Sequence, residues 1–406
     1  MDALQRMGDA ERLGRHRLIT EIGRGGMANL YLAVAEGPAG FKLVVLKRIC
    51  AQLAGDAEFE AMFLDEARLA GRLRHPNVVQ THELGEDNGH YFIAMEFLDG
   101  QPMSRIRSEF MREGGMPFMM QLEILIGVLT GLHYAHELTD CDGTPLAIVH
   151  RDFSPDNVFV TYEGAVKVVD FGIAIARDAH AEAKAGVFMG KVTYMAPEQA
   201  ACGQLDRRAD IFAVGAMLWE AATGTRLWQG ISRGAIVRRL LAGDIPSARN
   251  VNPSICDRLD AIIHKAMAPE RDDRFATAAE LQAELEALLT ELGGARDASA
   301  LGRLVAAHFE DERARIHELI EEHLHAMQGA PARCSCPPTA CWPAGIAAAG
   351  GAALITVADG AAGVAAAGGP ASVAAAAVPT LVASSPLGGL PPLAHALHSD
   401  RAPLAR

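Results

Sequence analysis

The sequence predicts an α+β fold in which most strands precede most helices along the chain. Short runs of β-branched and other apolar residues occur at 17–22, 29–35, 44–47 and 91–98. One stretch of helical apolar spacing, 63–73, lies among them, and a longer one, 121–137, follows the last predicted strand. A block of strands followed by a block of helices is typical of α+β proteins, whereas α/β folds alternate the two.

Length, charge and cysteine content set bounds on function. A chain of 406 residues can hold one domain of about 250 to 300 residues together with additional segments. The formal net charge of −13 argues against a nucleic-acid partner, because phosphate-backbone binding needs a basic surface. The seven cysteines are mostly scattered, which indicates a reducing compartment. The first 20 residues contain Asp and Glu and lack an apolar stretch, so we expect no secretory signal.

The most informative pattern is a His-Arg-Asp triplet at 150–152, followed by Asn157 and by an Asp-Phe-Gly triplet at 170–172. In this pattern Asp152 is placed to accept the proton of an attacking hydroxyl. Asn157 and Asp170 offer oxygen ligands to magnesium, which neutralises charge on a transferred phosphoryl group. A single triplet would be weak evidence, but two triplets with the asparagine between them are a strong signal.

These motifs resemble those of the protein kinase family, and the resemblance runs from about residue 16 to about residue 292. It implies a bilobal protein kinase fold, with a small antiparallel β-sheet lobe and a larger, mainly helical lobe. The expected organisation is an N-terminal extension at 1–15, a small lobe at 16–97, a large lobe at 98–292, a helical extension at 293–330 and a tail at 331–406.

The resemblance also implies a site for ATP with Mg²⁺ or Mn²⁺. Glycines at 23, 25 and 26 would let the backbone approach the triphosphate where a Cβ atom would obstruct it, although the family's third glycine is here Ala28. Lys47 would clamp the α- and β-phosphates, with Glu66 as its ion-pair partner. The full expected nucleotide-binding set is Ile22, Gly23, Arg24, Gly25, Gly26, Met27, Ala28, Leu30, Val45, Lys47, Met95, Glu96, Leu98 and Phe159.

Individual roles on the adenine side follow from the same resemblance. Met95 would guard the back of the pocket, and the backbone at Glu96 and Leu98 would hydrogen-bond the base. Leu30, Val45 and Phe159 would sandwich the ring, although each could equally be an ordinary core residue.

Two positions near the reacting phosphate depart from the family pattern. The lysine that the family places two residues after the catalytic aspartate is here Ser154, and the threonine after Gly190 is here Lys191. The two residue types have therefore changed places, and an ammonium from Lys191 could restore the missing charge. The alternative is that Lys191 only points to solvent. The same exchange makes the chain look like bacterial kinases of myxobacterial type.

The segment between the Asp-Phe-Gly triplet and the Ala-Pro-Glu triplet at 196–198 carries further expectations. No Ser, Thr or Tyr occurs between Phe171 and Gly190, so phosphorylation of this stretch cannot activate the enzyme. The anions that this stretch offers to Arg151 are the carboxylates of Asp178 and Glu182. By resemblance, Glu198 pairs with Arg274. Asp210, with Phe212 in place of the usual tryptophan, binds the backbone of the catalytic loop.

The resemblance implies a serine/threonine kinase in bacterial signalling that phosphorylates proteins, since Pro155 matches that class and not the Ala-Arg pattern of many tyrosine kinases. One alternative is a nucleotide-binding pseudokinase scaffold, suggested by Ala28 and Ser154. Another is a small-molecule kinase of aminoglycoside type, which lacks the Ala-Pro-Glu segment.

Localisation depends on the tail. From Cys334 to His395 the only charged residue is Asp359, and Ala, Gly and Pro dominate. This composition predicts a disordered low-complexity tail, a weak membrane anchor within 341–382 or a small interaction element. The kinase domain is expected in the cytoplasm.

Overall fold

A computed structural model describes residues 11–37, 40–50, 52–53, 55–171 and 192–327, all of which belong to one compact unit of the chain. Lys191, Asp178, Glu182 and the tail from 331 onward lie outside the described residues.

The first lobe is built on a six-stranded antiparallel sheet with the strand order β1-β2-β3-β4-β6-β5. Its strands are β1 (Arg12–Leu13), β2 (His16–Arg24), β3 (Ala28–Gly37), β4 (Gly40–Ile49), β5 (Thr81–Asp87) and β6 (His90–Glu96). The only helix described in this lobe, α1 (Ala57–Ala70), lies between β4 and β5 in sequence. Tyr31 and Ala33 of β3 face a cluster with Leu46 and Phe92, while Leu32 and Val34 face a second cluster on the other side. Because β3 is covered on both faces, its sequence is a continuous apolar run and does not alternate.

The second lobe is mainly helical, with a three-stranded sheet at its junction with the first lobe. That sheet consists of β7 (Gly100–Pro102), β8 (Val158–Thr161) and β9 (Val166–Val168). The helices are α2 (Met103–Phe110), α3 (Phe118–His136), α4 (Pro197–Ala200), α5 (Arg208–Thr223), α6 (Arg233–Leu241), α7 (Ala248–Val251), α8 (Asp257–Ala266) and α9 (Ala278–Glu291). Helices α3 and α5 are buried almost all round and form the centre of the core. The architecture confirms the predicted α+β fold with a sheet lobe and a helical lobe.

The predicted helical stretches have different bounds in the structure; the one at 121–137 is α3, Phe118–His136. Helix α1 ends at Ala70, so Leu73 lies beyond it, in the turn that follows Gly71. The predicted helical extension at 293–330 contains two helices, α10 (Ala298–His308) and α11 (Glu310–Met327). Asp297 caps α10 by accepting the N–H of Ala300 at 2.9 Å, which satisfies one of the free donors at a helix start.

Helix α10 packs on the turn between β8 and β9. A Cβ atom at Gly302 would lie 2.6 Å from backbone atoms of Glu163 and Gly164, so only glycine allows this close approach. The extension is thereby held against the large lobe.

Helix α11 continues from there across the hinge to the small lobe. Ile316, Ile320 and Leu324 pack against Leu32 and Val34 of the sheet, in one hydrophobic cluster. At its other end Glu312 forms a bidentate ion pair with Arg105 of α2. The helix therefore joins the two lobes directly.

Between these ends, α11 is bound to the hinge by charge. Arg313 donates to Asp99 at 2.8 Å, and His317 lies 3.2 Å from the same carboxylate. Arg313 also lies over the ring of Tyr162 at 4.9 Å. Despite desolvation by burial, these partners hold the pKa of Asp99 below its usual value.

Replacing Ile320 with aspartate should weaken the contact between α11 and the sheet. Ile320 is buried, and a carboxylate there would have to be desolvated or expose the cluster, at a cost of about 2 kcal/mol or more. We expect a lower Tm in thermal unfolding. Ala314→Asp, at an exposed position of the same helix, is the matched control and should leave Tm nearly unchanged. Equal Tm values for the two variants would mean that α11 is not bound to the sheet in solution.

Within the described residues, helix α3 is the one helix long and apolar enough to cross a membrane. Most of it is buried in the large-lobe core, and a core helix of a soluble protein passes the same test, so this is weak evidence for a membrane span.

Candidate active site

The site lies between the lobes, where Lys47 of β4 meets two carboxylates. Its Nζ atom donates to Glu66 Oε1 of α1 at 2.7 Å and to Asp170 Oδ1 at 3.0 Å. The predicted pair of Lys47 with Glu66 is therefore present, and the contact with Asp170 joins the small lobe to the end of β9. Burial alone would lower the pKa of Lys47, but the charges and hydrogen bonds of Asp170 and Glu66 outweigh it and raise the pKa above its usual value. The ammonium is thus charged at neutral pH.

The backbone of the catalytic loop is held by Asp210 at the start of α5. Its carboxylate accepts the backbone N–H of His150 at 2.8 Å, the N–H of Arg151 at 2.9 Å and His136 Nε2 at 2.8 Å. This confirms the predicted contact between Asp210 and the loop. Burial favours the neutral acid, yet the hydrogen bonds and the charge of His136 lower the pKa of Asp210. These bonds also support Arg151 at φ = 67°, a left-handed conformation that is unfavourable for a side chain of this size.

Asp152 and Asn157 are fixed to each other within this loop. Asn157 Nδ2 donates to the backbone carbonyl of Asp152 at 2.7 Å. Because the amide nitrogen is bound in this way, the amide oxygen is directed elsewhere and can serve as a metal ligand. The amide oxygen of Asn157 and the carboxylate of Asp170 are the kinds of ligand that the hard cations Mg²⁺ and Mn²⁺ prefer.

The glycine-rich turn between β2 and β3 is closed by a hydrogen bond from Gly25 N to Ala28 O at 2.9 Å. A Cβ atom at Gly25 would lie 2.9 Å from that same oxygen, so the turn requires glycine there. The side chain of Ala28 is buried next to β4, where its partner is Ile49, so the missing third glycine does not distort the turn. Of the other predicted residues in this turn, Gly23 and Arg24 end β2, and Gly26 and Met27 form the tip.

The predicted adenine-side residues belong to adjacent strands. Leu30 pairs with Lys47, and Val45 pairs with both Leu32 and Met95. Met95 packs against the hydrophobic cluster of Ile49, Phe63, Ala67 and Ile93, which joins the sheet to α1. Ile22 is exposed on β2, Glu96 ends β6 with Leu98 two residues on, and Phe159 pairs with Pro102 and Lys167 in the small sheet.

Ser154 is buried, and its hydroxyl has no hydrogen-bond partner within the described part of the chain. A buried hydroxyl without a partner is costly, so this atom is suited to bind a donor or acceptor that approaches the loop. Lys191, the residue predicted to compensate for Ser154, lies outside the described residues.

Glu198 and Arg274 form the predicted pair. Arg274 donates to both oxygens of Glu198, at 2.7 and 2.8 Å, and its side chain is 0% exposed. The guanidinium also donates to the carbonyls of Ala268, Arg208 and Pro269. Phe212 lies under it at 5.0 Å, so the aromatic contact persists although the family's tryptophan is absent.

Two residues of this region were not foreseen from the sequence. Gln199 donates to the backbone carbonyl of Arg151 at 2.7 Å and accepts the N–H of Ala196 at 3.0 Å, which connects α4 to the catalytic loop. Glu220 accepts Arg107 at 2.6 Å and the hydroxyl of Tyr194 at 2.9 Å. In the sequence, Gln199 directly follows the Ala-Pro-Glu triplet and Glu220 lies near the end of the α5 stretch. No spacing rule relates either residue to its partners.

Comparison with known proteins agrees with this geometry. The protein kinase domain model matches residues 16–285. The chain is 43% identical over 302 residues to a tyrosine-protein kinase, MasK, of Myxococcus xanthus, covering 74% of this chain and 47% of that protein. It is 34% identical over 273 residues to the serine/threonine-protein kinase PrkC of Bacillus subtilis, covering 67% and 40%. The chain thus spans about half or less of the length of these two relatives.

The fold is similar to that of the Mycobacterium tuberculosis PknI kinase domain in its crystal structure. The TM-score is 0.53 at 25% identity, over 70% of this chain and 99% of that one. With the motifs, the lobes and the family match in agreement, the chain belongs to the protein kinase domain family, among bacterial kinases of the eukaryotic-like type.

Proposed function

We propose that this protein transfers the γ-phosphoryl group of MgATP to serine or threonine hydroxyls of protein substrates. The observation that carries the proposal is the contact of Lys47 with both Glu66 and Asp170, above a catalytic loop whose backbone Asp210 fixes. A phosphoryl transferase needs such preorganised charge more than covalent chemistry.

In this proposal each residue has one task. Asp152 holds the acceptor hydroxyl and takes its proton, Lys47 orients the α- and β-phosphates, and Glu66 orients Lys47. Asn157 and Asp170 would hold the divalent cation, which supplies neutralisation of the developing phosphate charge when bound. The closed turn at Gly25 would cover the phosphates with backbone N–H groups.

The acceptor residue is the first point to test. PrkC and several other relatives are named serine/threonine-protein kinases, whereas MasK is named a tyrosine-protein kinase. We infer a serine or threonine acceptor because Pro155 follows Ser154. Radiolabelled ATP and a generic basic protein, followed by phosphoamino-acid analysis, should give phosphoserine and phosphothreonine. Phosphotyrosine as the main product would overturn this part of the proposal.

The same assay separates the enzyme from a pseudokinase scaffold. A scaffold would bind nucleotide but transfer no label, and Asp152→Asn would then change nothing. Retention of Lys47, Glu66, Asp152, Asn157 and Asp170 favours the enzyme. The bidentate contact of Glu198 with Arg274 favours a protein substrate over a small molecule, since the aminoglycoside-type enzymes lack the Ala-Pro-Glu segment.

Lys191 provides a sharp test of the exchanged residues. If its ammonium replaces the lysine absent at Ser154, Lys191→Ala should lower kcat about 10²-fold and change KM for ATP much less. The Ser154 hydroxyl, which has no hydrogen-bond partner among the described residues, supports a role for an approaching partner. Ser154→Lys with Lys191→Thr should recover most of the rate, whereas Ser154→Lys alone should not raise it. A Lys191→Ala enzyme as fast as wild type would show that Lys191 is a surface residue.

Activity should not depend on phosphorylation of the activation segment, because 172–190 contains no hydroxyl. We expect protein made without other kinases and treated with phosphatase to keep its turnover in the ATP assay. A large loss would point to a phosphosite elsewhere. Thr193 would then be mapped before Tyr194, because the Tyr194 hydroxyl is buried against Glu220.

We propose a cytoplasmic location for the two lobes. Whether the tail contributes membrane attachment is tested by fractionating cells that express the chain with and without residues 331–406. If the full chain is recovered with the membranes and the truncated chain is not, the attachment is assigned to the tail, through the stretch 341–382.

A further inference from the structure

A second cavity, of about 480 Å³, lies behind the hinge. Its walls come from both lobes: Lys42 of β4, Arg74 and His75 after α1, His82 of β5, and Lys167 of β9. Phe41, Leu43 and Phe97 supply its apolar part. Apart from Glu96 at the end of β6, it shares no residue with the expected nucleotide site.

Among the described residues that line this cavity, the one carboxylate is already engaged. Glu96 Oε1 accepts Lys167 Nζ at 2.6 Å and the backbone N–H of Gln80 at 2.7 Å. The charge of Lys167 is therefore balanced inside the wall. By contrast, no ion pair joins Lys42 or Arg74 to a carboxylate in the described ranges of the chain.

The hydrogen-bond donors of the wall include the ammonium of Lys42, the guanidinium of Arg74 and one N–H of each imidazole. Lys42 donates to His82 Nε2 at 2.9 Å, so the neutral ring of His82 carries its proton on Nδ1. His75 Nδ1 accepts the N–H of Asn77 at 3.1 Å, which leaves the proton of His75 on Nε2. Burial and then a neighbouring lysine lower the pKa of each imidazole, Lys167 for His75 and Lys42 for His82, so both rings are neutral at pH 7.

Contacts within the protein hold part of this wall in place before any ligand arrives. The ring of His75 stacks on Tyr134 at 4.8 Å, and the same Tyr134 hydroxyl accepts the backbone N–H of Arg74 at 3.0 Å. The side chain of Lys167 is only 15% exposed and is held by Glu96. Arg74 itself is exposed, so these contacts fix its backbone and the neighbouring side chains and not its guanidinium.

From this geometry we infer a binding site for a phosphate monoester behind the hinge, bound by Lys42 and Arg74. Two cations without an ion pair among the described residues match a dianion better than they match a single carboxylate, and three phosphate oxygens can accept from these donors. Arginine binds such a group through two parallel N–H bonds, and lysine adds a point charge. The apolar residues would contact whatever carries the phosphate, either a phosphorylated side chain of a protein or a small phosphorylated metabolite.

The test uses the full chain with its nucleotide site saturated by a non-hydrolysable ATP analogue and Mg²⁺. Isothermal titration at constant ionic strength would compare inorganic phosphate, an alanine-flanked phosphoserine peptide and a hexose phosphate. We expect saturable one-to-one binding, weakened about tenfold by Lys42→Ala or Arg74→Ala and about 100-fold by both. Arg238→Ala, at an exposed arginine of α6, is the control and should bind as wild type does.

The three ligands distinguish the source of the phosphate. Tightest binding of the peptide would indicate a phosphoprotein partner, tightest binding of the sugar phosphate a metabolite, and equal binding recognition of the phosphate group alone. All three outcomes support the site. The site would be overturned if no ligand bound wild-type protein saturably, or if the double variant bound the ligands as tightly as wild type. The wild-type titration alone shows whether the site exists, so a variant that fails to fold leaves the test intact. None of these outcomes depends on phosphoryl transfer, so the test is independent of the proposed function.

Discussion

Replacing Asp152 with asparagine should abolish phosphoryl transfer while ATP affinity stays within a few-fold of wild type. The side chain of Asp152 would contact the acceptor hydroxyl, whereas nucleotide binding depends on Lys47, the metal ligands and the hinge. Loss of a general base commonly costs about 10² to 10⁴-fold in rate. The loop itself should survive, since its contacts with Asp210 and Asn157 are made by the backbone around Asp152 and not by its carboxylate.

Asp170→Asn is the informative comparison, because it removes a charge from the metal site and from Lys47 at once. That variant should lose metal-dependent ATP binding as well as turnover. Single-turnover rates and nucleotide titrations on both variants separate the two roles. More than a few per cent of the wild-type rate in Asp152→Asn would mean that another group takes the proton.

The parts of the site that the sequence predicted are those set by local spacing. Asp152, Asn157 and Asp170 lie within 19 positions of one another, joined by a turn and the short β8–β9 hairpin, so the chain itself brings them together. Lys47 and Glu66 belong to neighbouring elements, and their order along the chain was enough to pair them.

Contacts between distant elements could not be predicted in the same way. The position of α11 depends on how its apolar face fits the outer sheet, and its sequence suits the large lobe or a partner helix equally well. Gln199 is a polar residue among many, and its role appears only when α4 is seen beside the loop. The cavity behind the hinge is lined from five separate segments, so no motif could reveal it.

Replacing either Glu198 or Arg274 with alanine should lower the free energy of unfolding by about 3 to 5 kcal/mol, because the partner that remains is a buried charge without compensation. Arg274 is the more demanding case. It is fully buried and also satisfies three backbone carbonyls, so Arg274→Ala loses those bonds and the contact with Phe212. Glu198→Ala leaves those contacts in place but strands the guanidinium. We therefore expect both variants to lower Tm, Arg274→Ala by more.

The double variant decides whether the two side chains act as a unit. Once Arg274 is gone, Glu198 has no charge to neutralise, so the double substitution should cost less than the sum of the two single ones. The exposed pair Arg112 and Glu109, 2.6 Å apart, is the matched control, and its cycle should give a coupling of about 1 kcal/mol or less. Additive losses for Glu198 and Arg274 would mean that they do not meet in solution. Coupling well above that of the exposed pair would instead show that α4, with Gln199 beside the catalytic loop, is held by a charge contact across the large lobe.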